Sequence, residues 1–105
     1  MNHSKLSILF VAYLAKTNRK GLCPLKCRLT YKKKRREFSS GLMVNSEQWN
    51  SKLQKVENDA LFNSNIEIIR SKLQKAYISL ELEMDNFTVH DIARKYLNKP
   101  EEHQT

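Results

Sequence analysis

The densest group of chemically functional side chains in this sequence is a set of cations spaced as on an extended strand. Lys26 and Arg28 alternate with apolar residues, and Thr30 continues the polar side of the pattern. Successive side chains of a β-strand point to opposite faces, so these three residues are predicted to share one face. Guanidinium and ammonium groups bind phosphates and the edges of bases. The pattern therefore predicts recognition of a nucleic acid.

A second group of cations follows directly and completes a basic hairpin. It consists of Lys32, Lys33, Lys34, Arg35 and Arg36. A β-ribbon fits the major groove of duplex DNA, about 12 Å wide, where strand side chains reach base edges and a turn reaches phosphates. We expect Arg28 to make a bidentate base contact and residues 32–36 to bind phosphates. The other residues predicted on the same surface are Lys26, Thr30, Glu37 and Ser39. A lysine-rich tip is also typical of a merely solvated turn, and that alternative stays open.

The charge of the chain is concentrated in its first half. Residues 1–55 contain 13 Lys and Arg against two acidic residues, a net charge of +11, whereas residues 56–105 have a net charge of −3. A one-sided positive field is typical of a nucleic-acid-binding face, because cations that neutralise phosphates release condensed counterions. A basic surface that only confers solubility is the alternative.

The sequence offers no constellation for catalysis and none for a metal or cofactor. Its two glycines, Gly21 and Gly41, cannot form a glycine-rich phosphate loop, and no nucleophile has a base and an orienting partner in a recognisable pattern. Cys23 and Cys27 lie in a segment predicted to be extended, which would separate their Cα atoms by roughly 12 Å, too far for a disulfide. We therefore expect free thiols, no cofactor, no small-molecule substrate and no enzymatic activity.

The basic residues are predicted to lie on a three-stranded antiparallel meander. Strand one is predicted over Lys5–Leu14 and, being almost wholly apolar, is expected to be buried on much of both faces. A polar turn over residues 16–21 leads to strand two, Leu25–Tyr31, with Pro24 at its start. Strand three is predicted over Arg35–Ser40 and to end at Gly41.

The second half of the chain is predicted to be helical. Apolar residues recur at steps of three or four between Asn58 and Met84, which predicts a long helix whose stripe covers the sheet. The stripe consists of Phe62, Ile66, Ile69, Leu73, Ala76, Leu80 and Met84. Thr88 with Asp91 predicts a capping box and a last helix ending near Asn98.

The connection between these halves contains a further capping signal. Asn45 with Gln48 predicts a short helical turn, and Trp49 is expected to pack under the sheet edge and not to stack on a base. The predicted fold class is α+β: a three-stranded antiparallel sheet packed against a long C-terminal helix, with a further short helix. We expect a single domain, with the sheet and turn in residues 1–57, the helices in 58–99 and a flexible tail in 100–105. No apolar run reaches the ~18 residues of a membrane span, so we expect a cytoplasmic protein with no membrane partner.

The order of these motifs resembles a known family. The segment Cys23–Thr30, the later segment Glu37–Leu42, and the pairs Val44-Asn45 and Trp49-Asn50 are similar to the N-terminal arm-type DNA-binding domain of tyrosine recombinases, particularly integrases of Bacteroides-type phages and conjugative transposons. The resemblance is close over residues 5 to 55 and looser beyond. It implies a sheet that binds double-stranded arm sites, in DNA integration and recombination, with possible contacts to other recombinase protomers. It also implies that the catalytic domain lies beyond Thr105, so that the chain is a fragment.

Two other functions remain open from the sequence. A basic β-face with Tyr31 is also compatible with RNA, whose exposed bases stack on aromatic rings. The long helix is also compatible with a protein-interaction module that pairs with a partner or with itself.

Overall fold

The chain folds into a three-stranded sheet backed by two helices. The computed structural model describes residues 5–98, so the predicted tail, residues 100–105, lies outside the described part. The sheet has the order β1 (Ser7–Ala12), β2 (Leu22–Tyr31), β3 (Lys34–Asn45) and is antiparallel throughout. A small hairpin, β4 (Trp49–Asn50) and β5 (Lys55–Val56), precedes helices α1 (Ala60–Glu83) and α2 (Val89–Leu97). The predicted α+β class, with one long and one short helix, is confirmed.

The central strand β2 separates the two faces of the sheet. Its inner side chains are buried in the core, namely Cys23, Leu25, Cys27, Leu29 and Tyr31. The side chains between them, including Lys26, Arg28 and Thr30, are half-buried on the other face. The alternation predicted from the sequence is therefore confirmed, and we call this second face the outer face.

Both long strands extend further than predicted. β2 begins at Leu22 and contains Pro24. The Pro24 carbonyl accepts a hydrogen bond from the Tyr13 N–H at 2.9 Å, so the missing Pro24 N–H lies on the same side of β2, beyond the last β1–β2 pair, Ala12 and Leu25. The proline removes only the reciprocal bond to the Tyr13 carbonyl, which instead accepts a hydrogen bond from the Lys16 N–H at 3.1 Å.

β3 also continues beyond the glycine that was predicted to end it. The register shifts between Leu25 and Lys26, which pair with Leu42 and Ser39, so Ser40 and Gly41 form a bulge within the strand. Gly41 has φ of +84°, a conformation that glycine adopts without the steric cost of a side chain. The sequence signal for a strand end marks a bulge instead, and β3 runs on to Asn45.

The first strand is buried on only one face, contrary to the prediction. Phe10 is 1% exposed on the inner face, whereas Leu9 is 39% exposed on the outer one. The strand is also shorter than predicted, because Leu14–Lys16 form a 3-10 turn. The prediction was wrong because an apolar run does not reveal which face is covered: within residues 5–98 both helices pack on the inner face alone.

The helical turn predicted after β3 is wrong, and a tight turn into β4 takes its place. The Asn45 side chain accepts a hydrogen bond from the Glu47 N–H, and its carbonyl accepts one from the Gln48 N–H, both at 2.9 Å. A side-chain cap and an Asx-turn use the same local hydrogen bonds, so the sequence signature does not distinguish them. Trp49 packs edge-on against Phe62 with 6.5 Å between ring centroids, which agrees with its predicted packing role.

The two helices share the inner face, and α2 begins with the predicted cap. Asp59 accepts a hydrogen bond from the Phe62 N–H and begins α1. Thr88 and Asp91 form the predicted capping box at the start of α2. The buried helical residues are Ile66, Ile69, Leu73, Ala76 and Leu80 of α1 and Val89, Ile92 and Ala93 of α2. Met84, predicted in the stripe, lies at the C-cap of α1 and is exposed, because the helix ends before it.

The free edge of β1 is protected by side chains. The Gln54 amide accepts a hydrogen bond from the Phe10 N–H at 2.7 Å and donates one to the Phe10 carbonyl at 3.1 Å. Arg70 of α1 donates to the Ile8 carbonyl at 3.2 Å. These side chains occupy edge groups that would otherwise pair with another chain.

The packing of α1 on the sheet can be tested with one pair of leucines. Leu73→Ala should destabilise the fold by about 2–5 kcal/mol, because it leaves a cavity in the core. Leu61→Ala is the matched control on the same helix and should change stability by less than about 0.5 kcal/mol, since Leu73 is 0% and Leu61 77% exposed. Urea unfolding followed by circular dichroism measures both. Equal effects of the two substitutions would contradict this packing.

Candidate nucleic-acid interface

Six of the predicted site residues form three adjacent cross-strand pairs on the outer face. The register pairs Lys26 with Ser39, Arg28 with Glu37 and Thr30 with Arg35. Paired side chains on one face have Cβ atoms about 4.5–5.5 Å apart. The strand pairing therefore brings these six residues into one continuous polar surface, as expected from the alternation of both strands.

The central pair of this surface is a short ion pair. Arg28 Nε donates to Glu37 Oε2 at 2.7 Å, and the two side chains are 30% and 36% exposed. An ion pair this exposed adds little to stability. Its effect is to orient the guanidinium through Nε, while bidentate binding of a base edge uses the two terminal amino groups. Glu37 thus holds Arg28 in place without occupying the fork that recognises a base.

Lys26 is held at the same surface by an aromatic ring that follows β1. Its Nζ lies 4.5 Å from the centroid of the Tyr13 ring, within the range of a cation–π contact. Tyr13 itself is partly exposed. The ammonium group is therefore ordered near the surface and keeps its charge available to a ligand.

The hairpin between β2 and β3 places two lysines in an unfavourable backbone conformation. Lys32 and Lys33 have φ of 53° and 68°, both in the left-handed region, and they form a two-residue turn. This turn type strongly favours Asn-Gly or Gly-Gly, because other side chains clash with the backbone. The chain bears this conformational cost at the position where it projects two cations. This observation favours a binding role over a merely solvated turn.

The predicted phosphate-binding run is divided between two faces. Arg35 lies on the outer face opposite Thr30, whereas Arg36 pairs with Leu29 on the inner side. Arg36 reaches the rim of α2, where its Nη1 lies 3.3 Å from His90 Nδ1. Lys34 starts β3 on the same side as Arg36, opposite Tyr31. The structure therefore does not bring Arg36 and Lys34 onto the outer face, because neighbouring strand residues alternate; both flank it along the β3 edge.

The outer face also contains side chains that sequence reasoning missed. Leu9 pairs with Arg28 and Val11 with Lys26, so β1 adds an apolar column beside the polar one. From Ile8 to Ala12 the strand is entirely apolar, so its period of two is not visible in the sequence. The pairing of an exposed Leu with a predicted binding residue becomes evident only when the register is known.

The cysteines of β2 are placed for packing. Cys23 and Cys27 are free and buried. Burial raises the pKa of the Cys27 thiol to about 12, with the nearby Arg70 opposing this shift only in part. A protonated thiol is a poor nucleophile and a poor metal ligand. Within residues 5–98, no three His, Cys, Asp or Glu side chains lie together as a metal site, and none of the helices there is long and apolar enough to span a membrane.

A basic, uncovered sheet backed by helices defines a class of small nucleic-acid-binding domains. Comparison with protein families identifies which one: the family model for the arm DNA-binding domain matches residues 10–93. The chain therefore belongs to the arm DNA-binding domain family of integrases, as its resemblance implied. An arm domain is what is found in this chain of 105 residues, without a catalytic domain. No curated protein and no solved structure matches the chain significantly.

The conformational cost of the hairpin tip can be measured directly. Replacing Lys32 by Asn and Lys33 by Gly should stabilise the fold by about 1–2 kcal/mol, because these residues suit left-handed φ. Thermal unfolding is measured at about 1 M salt, where the Debye length is about 3 Å and repulsion between the lysines is largely screened. The remaining difference in stability then reports the backbone conformation. Lys34→Gly is the control and should destabilise, since Lys34 lies in β3. A double variant less stable than the native protein would contradict a strained turn.

Proposed function

We propose that this domain binds double-stranded DNA sequence-specifically, with its outer sheet face in the major groove, as the arm-site-binding domain of a site-specific tyrosine recombinase. The observation that carries the proposal is the row of cross-strand pairs centred on Arg28 and Glu37, on the face that the helices leave uncovered. The family supports DNA binding in an integrase. The mode of binding is the part we propose.

The dimensions of the sheet suit the major groove. Neighbouring strands lie about 4.8 Å apart, so the backbones of three strands span roughly 10 Å. The groove is about 12 Å wide and admits such a sheet. Side chains that stand off the outer face would then meet base edges, while the β2–β3 turn would lie near the sugar-phosphate backbone.

Each residue of the proposed site has a role that follows from its place. Arg28 donates to O6 and N7 of a guanine, and Glu37 fixes its guanidinium. Glu37 also repels phosphates, which disfavours non-specific binding and so raises specificity. Thr30 and Ser39 offer hydroxyls to base edges beside it. The proposed phosphate contacts are Lys26 and Arg35 on the outer face, Lys32 and Lys33 at the tip, and Lys34 and Arg36 along the β3 edge.

The structure argues against RNA binding by base stacking, because Tyr31, the ring expected to stack on bases, is not accessible. Tyr31 is buried in the core, stacked on Phe87 with 5.1 Å between ring centroids and in edge contact with Tyr77. A ring in this position cannot stack on a base. Tyr13 is the partly exposed ring that borders the outer face, and its surface is engaged by Lys26. The geometry therefore favours duplex DNA.

The recombinase context extends the proposal beyond this chain. The strand-cleaving arginine, histidine and tyrosine would belong to a catalytic domain elsewhere in the recombinase, acting in the cytoplasm. None of Tyr13, Tyr31, Tyr77 or Tyr96 is proposed as a nucleophile. This domain would bind the accessory arm sites. Because it is linked to the catalytic domain, its binding would raise the effective concentration of that domain at the crossover site.

Selection and competition test the proposed function. Duplexes selected from a random pool should converge on one sequence, and that duplex should outcompete single-stranded RNA of the same sequence. If about six phosphates are neutralised, log K should fall against log salt with a slope of about −5. Fluorescence anisotropy measures the competition between duplex and RNA, and its repetition at several salt concentrations gives the slope. Selection without a consensus, or stronger binding to RNA, would contradict the proposal.

Two substitutions separate base contacts from phosphate contacts. Arg28→Ala should cost about 1–3 kcal/mol at one base position and relax the preference there, because a bidentate base contact is lost. Lys33→Ala should weaken all duplexes similarly and lower the salt slope by about one. Binding to the selected duplex and to its single-base variants gives both readouts. If Arg28→Ala weakens every variant equally, Arg28 binds a phosphate and not a base.

A second candidate function, protein interaction, is favoured by one observation on α1. The helix exposes four large apolar side chains away from the sheet, namely Leu61, Ile68, Ile78 and Leu82, each more than half exposed. This candidate predicts that the sedimentation coefficient rises with concentration and that Leu82→Lys abolishes the rise. Leu53→Lys, in the turn between β4 and β5, is the exposed control. A constant monomeric value would contradict self-association.

A further inference from the structure

The outer face of β1 is a largely apolar edge beside the basic column of β2. Ser7, Leu9 and Val11 share this face and are uncharged. Leu9 is 39% exposed although it lies within a strand. An exposed aliphatic side chain at the border of a polar binding surface points to an apolar group on the ligand.

The register fixes the neighbour of this leucine. Leu9 pairs directly with Arg28, whose guanidinium is held by Glu37. Cross-strand partners on one face have Cβ atoms about 4.5–5.5 Å apart, a distance between one and two base-pair steps of about 3.4 Å each. A duplex that presents a base edge to Arg28 therefore presents a base pair one or two steps away to Leu9.

The major groove of DNA contains one apolar group, the C5-methyl of thymine. We propose that Leu9 contacts the methyl group of a thymine within two base pairs of the base bound by Arg28, and that Leu9 is thereby a specificity-determining residue. This inference rests on the proposed function. Arg28 beside Leu9 and Lys26 beside Val11 favour a nucleic acid over an apolar protein partner as the occupant of this surface. The methyl group favours DNA over RNA, because uracil lacks it.

Replacing thymine by deoxyuridine tests the proposal without altering the protein. The substitution keeps Watson–Crick pairing and removes only the methyl group. In the duplex selected by the native domain, each thymine is replaced in turn and binding is measured by anisotropy. One position should lose about fourfold in affinity, the change expected when about one buried methyl group is removed from an apolar contact. Equal affinity for all the substituted duplexes would overturn the proposal.

A cycle with Leu9→Ala assigns the contact to its residue. This variant should bind the thymine duplex more weakly than the native domain does, and its penalty for deoxyuridine at the sensitive position should fall below about twofold. Leu53→Ala is the control, since Leu53 is exposed in the turn between β4 and β5, and it should keep the full penalty. Thermal unfolding verifies that both variants are folded. An undiminished penalty in Leu9→Ala would overturn the assignment to Leu9.

The failure of this inference is distinguishable from the failure of the proposed function. If selection yields no preferred duplex, DNA recognition itself is contradicted. If selection succeeds and the deoxyuridine series is flat, the sheet binds DNA but Leu9 reads no methyl group. If the domain instead binds a protein through this face, Leu9→Ala weakens that complex and leaves DNA affinity unchanged, which also overturns the proposal.

Discussion

The burial of one side of β2 is the interaction on which the rest of the structure depends. Leu25, Cys27 and Leu29 are fully buried between the sheet and the helices. Their burial fixes the strand in one register, since a shift by one residue would place Lys26 and Arg28 in the core, where unpaired charges are strongly disfavoured. Apolar burial on one face therefore determines which side chains are presented on the other.

Because the inner face supplies the core, the side chains of the outer face are not needed for packing. The core contains no buried polar or charged residue among residues 5–98, so the fold does not rely on the cations for packing. The outer pair Arg28–Glu37, with side chains 30% and 36% exposed, contributes order more than stability. The hairpin tip even opposes folding locally, with Lys32 and Lys33 in left-handed conformations. These features are typical of a surface shaped for a ligand, where local rules are broken at functional positions.

The parts of the fold with a clear period were predictable from sequence. The two-residue alternation of β2 and the three- to four-residue stripe of α1 each identify an element and its buried face, and the capping box of Thr88 and Asp91 marks the start of α2 correctly. Predictions were wrong where one sequence signal fits two structures. An Asx-turn at Asn45 resembles a helix cap, and a bulge glycine at position 41 resembles a strand end. Local sequence does not separate these cases, since long-range pairing decides between them.

The site was predictable to the extent that it lies on alternating strands. The alternation of polar residues placed Lys26, Arg28, Glu37 and Ser39 on one surface, and the register shows them as neighbours. The sequence predicts one phosphate-binding group over residues 32–36, but neighbouring residues of a strand face opposite ways, so Arg35 lies on one face of β3 and Lys34 and Arg36 on the other. Leu9 was not predictable, because nothing in the apolar run from Ile8 to Ala12 shows which face is uncovered. The register carries that information, and it arises from contacts distant in sequence.

The most direct test of this account is a backbone amide titration by NMR with the selected duplex. If the outer face docks on DNA, the amide signals of Lys26, Arg28 and Ser39 should shift on saturation, together with those of the β2–β3 turn. The amides of Leu61 and Leu82, on the opposite side of the molecule, should remain in place. Unmoved signals at Lys26, Arg28 and Ser39, with shifts confined to α1, would contradict the central claim.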